Sequence, residues 1–352
     1  MRVVVTGATG NVGTAVVRAL ASDSAVHEVI GIARRPPGPE ASIPDSVRHV
    51  CADITMDDLG PHFEGADSVV HLAWLFQPTH KPLVTWRGNV LGTLRVMEAS
   101  TAAAVTAFVH ASSIGAYSAA PPDGHAVDES WPTHSLPTAA YGREKAYVER
   151  LLDAFEREQP GRRVVRLRPA FVFQRAAATE QRRLFAGPFV PNAVARRGRL
   201  PFVPMPAGLR FQAVHADDLA DAYRRAVVGE AVGAFNIAAD PVIDADGLAA
   251  VLATRSVPVP RRVVRLAVAA AWHLHLVPAD PALLDLFLQL PLLDCARARH
   301  ELGWEPQRSA YDAIGELVDG VAAGAGGPTE PLAPDRFDRR MREIGSGVGQ
   351  RC

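Results

Sequence analysis

The sequence predicts an α/β protein with a doubly wound parallel sheet and a smaller C-terminal lobe. Two observations carry this prediction. Up to about residue 173, short runs rich in β-branched residues alternate with helical stretches, and a glycine-rich turn joins the first run to the first helix. Because parallel strands need crossover connections, and these are right-handed in nearly all proteins, one sheet with helices on both faces is the simplest arrangement.

The composition excludes several classes of partner. The chain has 352 residues, 48% of them hydrophobic, and a formal net charge of -1, so we expect neither a nucleic-acid partner nor an anionic membrane surface. Its three cysteines form no CxxC pair, which argues against disulfides and a metal site and predicts a reducing, cytoplasmic location. The apolar windows at 263–277 and 282–293 are too short for an integral membrane segment.

The glycine-rich turn lies between a predicted strand at Arg2–Thr6 and a predicted helix at Asn11–Ala21. A strand, a glycine turn and a helix N-terminus in this order form a site for a dinucleotide pyrophosphate. Gly7 permits the tight turn, Gly10 lets the backbone approach phosphate, and Gly13 lets helix and strand pack closely.

The ends of the next two strands suggest how the adenosine half would bind. The strand at Glu28–Ala33 ends in Arg34, where NAD-specific sites usually carry an acidic residue. An arginine here pairs with a 2'-phosphate, which favours NADP over NAD. After the strand at Val47–Cys51 comes Asp53, a candidate acceptor for adenine.

Two further strands are predicted at 67–72 and 106–111, with a long helix at 82–104 between them. The second strand delivers Ser112 and Ser113 at its carboxyl end, where open α/β sheets bind ligands. We therefore expect these serines to face the cofactor crevice.

A predicted helix at 141–158 begins with Tyr141 and carries Lys145 one turn later. Residues four apart share a helix face, so their polar ends can meet one bound molecule. An ammonium group favours the phenolate and would lower the pKa of Tyr141. This pair is a candidate acid/base catalyst. A strand follows at 163–168.

The regular alternation ends after residue 173. Segment 174–209 is rich in Arg, Pro and Phe, which suits a covering over a substrate. Residues 211–222 predict a strand and a helix with Asp217 or Asp218 as N-cap, 234–238 predict another strand, and a helical region follows to about residue 317. We predict a dinucleotide-binding domain at 1–173, a substrate lobe at 174–320 with segments near 211–238 returning to the sheet, and a mobile tail at 321–352.

These motifs, in this order, resemble the extended short-chain dehydrogenase/reductase family, also called the NAD-dependent epimerase/dehydratase family. The matching residues are Thr6-Gly7-x-x-Gly10-x-x-Gly13, Asp53-Ile54, His71-Leu72-Ala73, Asn89-x-x-Gly92-Thr93, Ser112-Ser113 with Tyr117, Tyr141-x-x-x-Lys145, Arg168-Pro169, Val214-His215-x-Asp217-Asp218 and Leu302-Gly303-Trp304-x-Pro306. The resemblance implies a Rossmann-type sheet with a smaller C-terminal substrate lobe, and a homodimer formed through the helices at 82–104 and 141–158.

The resemblance also implies roles for individual residues. Tyr141 would be the acid/base, Lys145 would lower its pKa and hold the nicotinamide ribose, and Ser113 would hydrogen-bond the reacting oxygen. The implied cofactor-binding set is Gly7, Thr9, Gly10, Asn11, Val12, Arg34, Asp53, Ile54, Leu72, Ala73, Asn89, Tyr141, Lys145, Pro169 and Val172.

The expected activity is that of an NAD(P)-dependent oxidoreductase or epimerase, with hydride transfer at a secondary alcohol or carbonyl of a small molecule. Residues 203–210 depart from the pattern of nucleotide-sugar enzymes, because they are apolar and lack the aspartate of a Gly-Asp-Gly stretch. A nucleotide-sugar epimerase or dehydratase with retained NAD is one alternative. A non-catalytic dinucleotide sensor or scaffold is the other, although such proteins usually lose the tyrosine or the lysine.

Overall fold

A computed structural model describes residues 1–38 and 41–350. The strands in chain order are β1 (Arg2–Thr6), β2 (Glu28–Ala33), β3 (Val47–Cys51), β4 (Ser68–His71), β5 (Ala107–Ala111), β6 (Ala126–Val127), β7 (Arg163–Pro169), β8 (Phe171–Phe173), β9 (Phe202–Pro206), β10 (Arg210–His215), β11 (Gly233–Ile237), β12 (Ala239–Asp244), β13 (Arg255–Val259) and β14 (Leu292–Leu293). The α-helices are α1 (Asn11–Ala21), α2 (Gly60–Phe63), α3 (Pro82–Trp86), α4 (Gly92–Ala102), α5 (Ala140–Glu158), α6 (Ala178–Gln181), α7 (Ala216–Val228), α8 (Ala245–Val251), α9 (Arg261–His273), α10 (Pro281–Phe287), α11 (Ala296–Glu301), α12 (Ala310–Ala323) and α13 (Phe337–Ser346).

A seven-stranded parallel sheet forms the centre of the molecule, in the order β11-β7-β5-β4-β1-β2-β3. The predicted doubly wound fold is thereby confirmed. The chain runs outward from β1 in one direction through β2 and β3, and in the other through β4 and β5. Crossovers therefore diverge between β1 and β4, and this is the place where open α/β sheets form a ligand crevice.

Both faces of the sheet are covered by helices. On one face, α1 and α7 pack against each other and share a core with the strands that includes Val5, Leu20, Leu219 and Phe235. On the other face, α2, α4 and α5 bury a second core. Because the central strands are buried on both faces, the middle residues of β1 and β4 are consecutive valines and do not alternate with polar residues.

The predicted long helix at 82–104 is divided in the structure. A π-helical turn at Arg87–Leu91 separates α3 from α4, and it turns Asn89 towards the crevice. Such turns insert one residue into a helix and often occur at functional sites.

The prediction of Asp217 or Asp218 as the N-cap of α7 is wrong. The cap is His215, whose Nδ1 accepts a hydrogen bond from the backbone N–H of Asp217 at 3.1 Å, and both aspartates lie in the first turn. There they stabilise the positive end of the helix dipole. The fully buried Trp304 donates a hydrogen bond from Nε1 to the carbonyl of Asp218. This bond connects the Leu302-Gly303-Trp304 motif with the motif that contains His215 and Asp218.

The C-terminal half contains more strand than the sequence predicts. Instead of a helical region up to residue 317, β12 pairs antiparallel with β10, and β13 pairs with β9. These strands and α12 enclose a separate small core that includes Met205, Phe211 and Ile314. Within residues 1–38 and 41–350, no helix is both long and apolar enough to cross a membrane.

Candidate active site

A cavity of about 570 Å³ lies at the carboxyl ends of β1, β2 and β4, where the crossovers diverge. This volume lies in the range of small-molecule and cofactor sites. Nine of the predicted cofactor-binding residues line it, namely Gly7, Thr9, Gly10, Arg34, Asp53, Ile54, Leu72, Ala73 and Asn89.

The glycine turn has the conformation that a pyrophosphate site needs. Gly7 has φ of +75°, and a Cβ there would lie 2.7 Å from the backbone nitrogen of Ala73. A Cβ on Gly13 would lie 2.1 Å from the carbonyl oxygen of Gly7, so β1 and α1 can pack this closely only with glycine. On Gly10 the nearest atom would be 3.5 Å away, which leaves this side of the loop accessible. The turn, the helix N-terminus and the cavity together fit a dinucleotide.

Four predicted cofactor residues flank the turn, outside the cavity lining that the described residues form. The side chain of Asn11 donates to the carbonyl of Val172 at 3.2 Å, and Val12 is in the first turn of α1. Pro169 ends β7, the strand next to β5. These contacts hold the start of α1 against the segment that follows β7.

The predicted adenosine end contains Arg34 and Asp53 on the same wall. Burial lowers the pKa of Arg34, whereas the nearby charge of Asp53 raises it and that of Arg35 lowers it. The carboxylate of Asp53 accepts hydrogen bonds from the backbone and the hydroxyl of Thr55, at 2.9 and 2.6 Å. Asp53 thus shapes the turn after β3, and its contact with adenine stays a prediction.

Ser113, Tyr141 and Lys145 come together beside this cavity. The hydroxyl of Tyr141 donates to Ser113 Oγ at 2.9 Å. Lys145 Nζ donates to the carbonyl of Ala111 at 2.6 Å and lies 3.4 Å from the centre of the Trp74 ring. Helix α5 and the end of β5 therefore bring the three predicted catalytic side chains to one place.

The expected effect of Lys145 on Tyr141 is not found. Burial raises the pKa of Tyr141 to about 12, and the hydrogen bond with Ser113 only partly offsets it. Burial likewise lowers the pKa of Lys145 to about 7, against the opposing charges of Glu149 and Glu144. Burial thus disfavours the charged form of both groups, because both are removed from water. In this arrangement Tyr141 is a phenol at neutral pH and can donate a proton.

Aromatic side chains that the sequence did not single out cover Tyr141. Phe76 stacks on its ring at 4.9 Å, Trp74 meets it edge-on at 6.1 Å, and Phe185 contacts Phe76. Phe76 lines the large cavity and also a smaller one of about 40 Å³ that Tyr141 borders. It therefore forms the wall between the dinucleotide cavity and the tyrosine.

Two buried carboxylates on α5 support the site and were also missed. Glu144 accepts hydrogen bonds from Thr85 and Asn89, at 2.7 and 2.6 Å. Asn89 is thereby fixed, and its amide also exchanges hydrogen bonds with the backbone of Leu75. Glu149, one turn after Lys145, is paired with two arginines of β7. Glu144 and Glu149 lie at helical spacing from Tyr141 and Lys145, and this spacing was the sequence signal that could have identified them.

The segment after α12 also lines the cavity, and no sequence pattern predicted this position. Glu330, Pro331, Ala333, Asp335, Arg339, Arg342 and Glu343 belong to the cavity wall. The segment contains α13, in which Asp338 and Arg342 form an i,i+4 ion pair. This charge spacing was a signal for a helix. Mobility of the tail stays a prediction.

Two curated relatives match parts of the chain. An L-arabinose 1-dehydrogenase (NAD(P)(+)) from Haloferax volcanii is 42% identical over 112 residues, which cover 32% of this chain and 40% of that protein. A UDP-glucose 4-epimerase from Yersinia pestis is 35% identical over 96 residues, 26% of this chain and 28% of that protein. The matches thus span less than half of either relative.

Solved structures resemble the whole fold. A UDP-glucose 4-epimerase from Thermotoga maritima has a TM-score of 0.67 at 20% identity, with 91% of this chain and 98% of that chain covered. A UDP-N-acetylglucosamine 4-epimerase from Methanobrevibacter ruminantium has a TM-score of 0.68 at 19% identity, with 92% and 98% covered. The sequence itself matches the NAD dependent epimerase/dehydratase family over residues 3–238, from the first strand to the end of β11. With the glycine turn, the crevice and the Ser-Tyr-Lys cluster in place, the chain belongs to the NAD-dependent epimerase/dehydratase family.

Proposed function

We propose that this protein is an NAD(P)-dependent oxidoreductase or epimerase that acts on a secondary alcohol or carbonyl, with Tyr141 as acid/base. The observation that carries the proposal is the 2.9 Å hydrogen bond between Tyr141 and Ser113 beside a dinucleotide-sized cavity. One oxygen of a substrate can be reached by both hydroxyls at once, which is the geometry that general acid/base catalysis needs.

The roles of the residues follow from their positions. When bound, the nicotinamide would supply or take up the hydride. The phenol of Tyr141 gives its proton to the oxygen of a carbonyl substrate, and its phenolate takes the proton back from an alcohol. Ser113 hydrogen-bonds the same oxygen and fixes its direction. Lys145 shares the helix face of Tyr141, and its Nζ would hydrogen-bond the ribose hydroxyls.

The cofactor-binding set from the sequence is retained in this proposal. The glycine turn would bind the pyrophosphate, Asp53 and Ile54 the adenine, and Leu72 with Ala73 the adjoining ribose. Arg34 favours NADP, since its guanidinium lies in the cavity wall at the end of β2 and could pair with a 2'-phosphate. NAD is the alternative, and the family as a whole is NAD-dependent.

The surroundings of Tyr141 support a substrate of low polarity. Trp74, Phe76 and Phe185 form the aromatic cover. Aromatic walls suit an apolar or ring-shaped alcohol or ketone better than a charged sugar diphosphate. A nucleotide-sugar epimerase or dehydratase with retained NAD is the second candidate, and the arginines of the cavity wall, Arg87, Arg182 and Arg183, favour it.

Mass spectrometry of the purified protein under native conditions tests the proposal. We expect a dinucleotide to remain bound through purification or to bind when it is added. The mass of the complex distinguishes NAD from NADP. An epimerase regenerates its cofactor in each turnover and keeps it, whereas a reductase exchanges it with the added pool. If the protein binds neither dinucleotide, the proposal is contradicted. A non-catalytic scaffold role would then be the remaining alternative.

A homodimer also stays a prediction. Leu83, Leu91 and Tyr147 are exposed on the helices at 82–104 and 141–158, which is the pair of helices expected at the dimer interface. Exposed apolar side chains on adjacent helices are typical of such an interface. Light scattering after size-exclusion chromatography should give twice the mass of one chain, and the monomer mass would exclude this contact.

A further inference from the structure

A carboxylate from the C-terminal segment lies between two arginines at the adenosine end of the cavity. Glu330 Oε1 is 3.2 Å from a guanidinium nitrogen of Arg35, and Glu330 Oε2 accepts a hydrogen bond from Arg339 at 2.8 Å. All three residues line the cavity, next to Arg34. Arg35 is the second residue after β2, so the cluster is at the strand end that distinguishes NAD from NADP.

The segment that carries Glu330 is attached at the glycine turn. Thr329 Oγ1 donates to the carbonyl of Thr9 at 2.7 Å, and both threonines are buried. The backbone N–H of Gly38 donates to the carbonyl of Pro328 at 2.8 Å. These bonds attach the segment both to the predicted pyrophosphate loop and to the loop after β2. The position of Glu330 beside Arg35 is therefore set by its neighbours in the chain.

A carboxylate held by two guanidinium groups has the same recognition chemistry as a bound phosphate, since both are anions with oxygens that accept from arginine N–H groups. We propose that Glu330 is a specificity-determining residue of the dinucleotide cavity, because it holds the arginines that a 2'-phosphate would use and so weakens NADP relative to NAD. The inference rests on the proposed function, in which the cavity takes NAD or NADP.

NAD and NADP would interact differently with the cluster of Arg35, Glu330 and Arg339. A 2'-hydroxyl can donate a hydrogen bond to the Glu330 carboxylate without disturbing either ion pair. A 2'-phosphate must displace the carboxylate from Arg35 and Arg339 or lie beside a like charge. Arg35 and Glu330 keep about half and a third of their side-chain surface exposed, 51% and 37%, so the carboxylate can move and NADP is weakened without being excluded. Glu330 thus supplies from the tail the acidic group that β2 lacks.

Calorimetric titration of the full-length protein with NAD and with NADP tests this role. Replacing Glu330→Gln keeps the size of the side chain and removes its charge, so we expect NADP to bind roughly five to ten times more tightly and NAD to change less than about twofold. Glu330→Asp keeps the charge and should retain the original ratio. Glu301→Gln is the matched control, because Glu301 is also an exposed carboxylate paired with arginine but lies on α11, away from the cavity.

The outcomes separate this inference from the proposed function. If the unaltered protein binds neither dinucleotide, the proposed function is overturned. If it binds a dinucleotide and Glu330→Gln changes NAD and NADP equally, or changes neither, the role of Glu330 is overturned and the proposed function stands. Far-ultraviolet circular dichroism of each variant verifies that the fold is retained.

Discussion

At the residue scale, the support for the catalytic cluster comes from a fully buried carboxylate. Glu149 accepts two hydrogen bonds from Arg168, both at 2.9 Å, and a third from Arg166 at 3.1 Å. It also accepts from Ser112, the neighbour of Ser113. Burial by itself would raise the pKa of Glu149, but the two arginines and Ser112 lower it to about 2. One side chain thus ties α5 to the ends of β5 and β7.

Replacing Glu149→Gln should therefore destabilise the protein. The change leaves the buried guanidinium of Arg168 without a counter-charge, whereas Arg166 keeps its ion pairs with Asp153 and Glu156. Breaking a buried ion pair on one side typically costs about 3–5 kcal/mol of unfolding free energy. The Glu301→Gln variant breaks an exposed pair instead and should cost less than about 1 kcal/mol. Urea unfolding at pH 7 measures both, and equal losses would contradict this account of Glu149.

The pH dependence of the same variant gives a second expected result. Because the pKa of Glu149 is lowered in the fold from 4.5 to about 2, its contribution is fully present above pH 4.5 and is lost as the pH falls towards 2. We expect the difference in unfolding free energy between the protein and Glu149→Gln to shrink by about 3 kcal/mol over this window. A constant difference would mean that the carboxylate is not held as the structure indicates.

Residues that the sequence predicted for the site share one property. Gly7, Gly10, Arg34 and Asp53 lie in the loops that follow a strand, so their place at the carboxyl edge of the sheet follows from the alternation of strands and helices. Glu330 contacts Arg35 across nearly three hundred residues, and no local pattern encodes that contact. The burial that raises the pKa of Tyr141 also depends on the folded chain, so the sequence alone does not predict it.

At the element scale, the unit of β1, the glycine turn and α1 depends on the missing side chain at position 13. A Cβ on Gly13 would lie 2.1 Å from the Gly7 carbonyl oxygen, and that oxygen belongs to backbone that cannot rotate away. Helix α1 would have to move off the strand, and the turn would lose the shape that fits a pyrophosphate.

Gly13→Ala should accordingly destabilise the protein by about 1–3 kcal/mol and abolish dinucleotide binding. Gly161→Ala is the control, because a Cβ at Gly161 meets nothing within 4 Å. Thermal unfolding and dinucleotide titration of both variants check this. Retained binding in Gly13→Ala would show that α1 and β1 do not need the observed contact.

Some helices and strands can be predicted from the local sequence, and others cannot. The first three strands and α1 have the predicted bounds, because runs of β-branched residues and a glycine turn define them locally. Strands β12 and β13 were taken for helix. Strand β13 pairs Arg255 with Phe202, so its conformation is imposed by a partner about fifty residues away.

At the scale of the whole molecule, the chain after α12 returns over the sheet and closes one wall of the cavity. Among the residues that the structure describes, two hydrogen bonds and an exposed ion pair join it to the glycine turn and to the residues after β2. Asp335 and Glu343 of the same segment also form buried ion pairs with Arg182, which follows α6. The segment is therefore held on two sides of the cavity, and its opening requires the buried ion pairs of Arg182 to break. Mobility of the tail stays a prediction.

Hydrogen exchange measured by mass spectrometry tests how mobile the segment after α12 is. We expect amides of α13 to exchange faster than those of β1 and β4, and added dinucleotide to slow exchange in the tail and in the glycine turn together. The coupling follows because both line the same cavity. Slowing in the glycine turn alone would mean that the tail is not part of the binding site.

The variant Tyr141→Phe tests whether Tyr141 moves the proton during hydride transfer. The change removes only the hydroxyl that donates to Ser113 and leaves the ring stacked on Phe76. Turnover of a secondary alcohol or carbonyl substrate, measured by the absorbance of the reduced nicotinamide, should fall at least about 100-fold. Dinucleotide affinity, measured on the same sample, should stay within about threefold of the original. An unchanged turnover number in this variant would contradict the account.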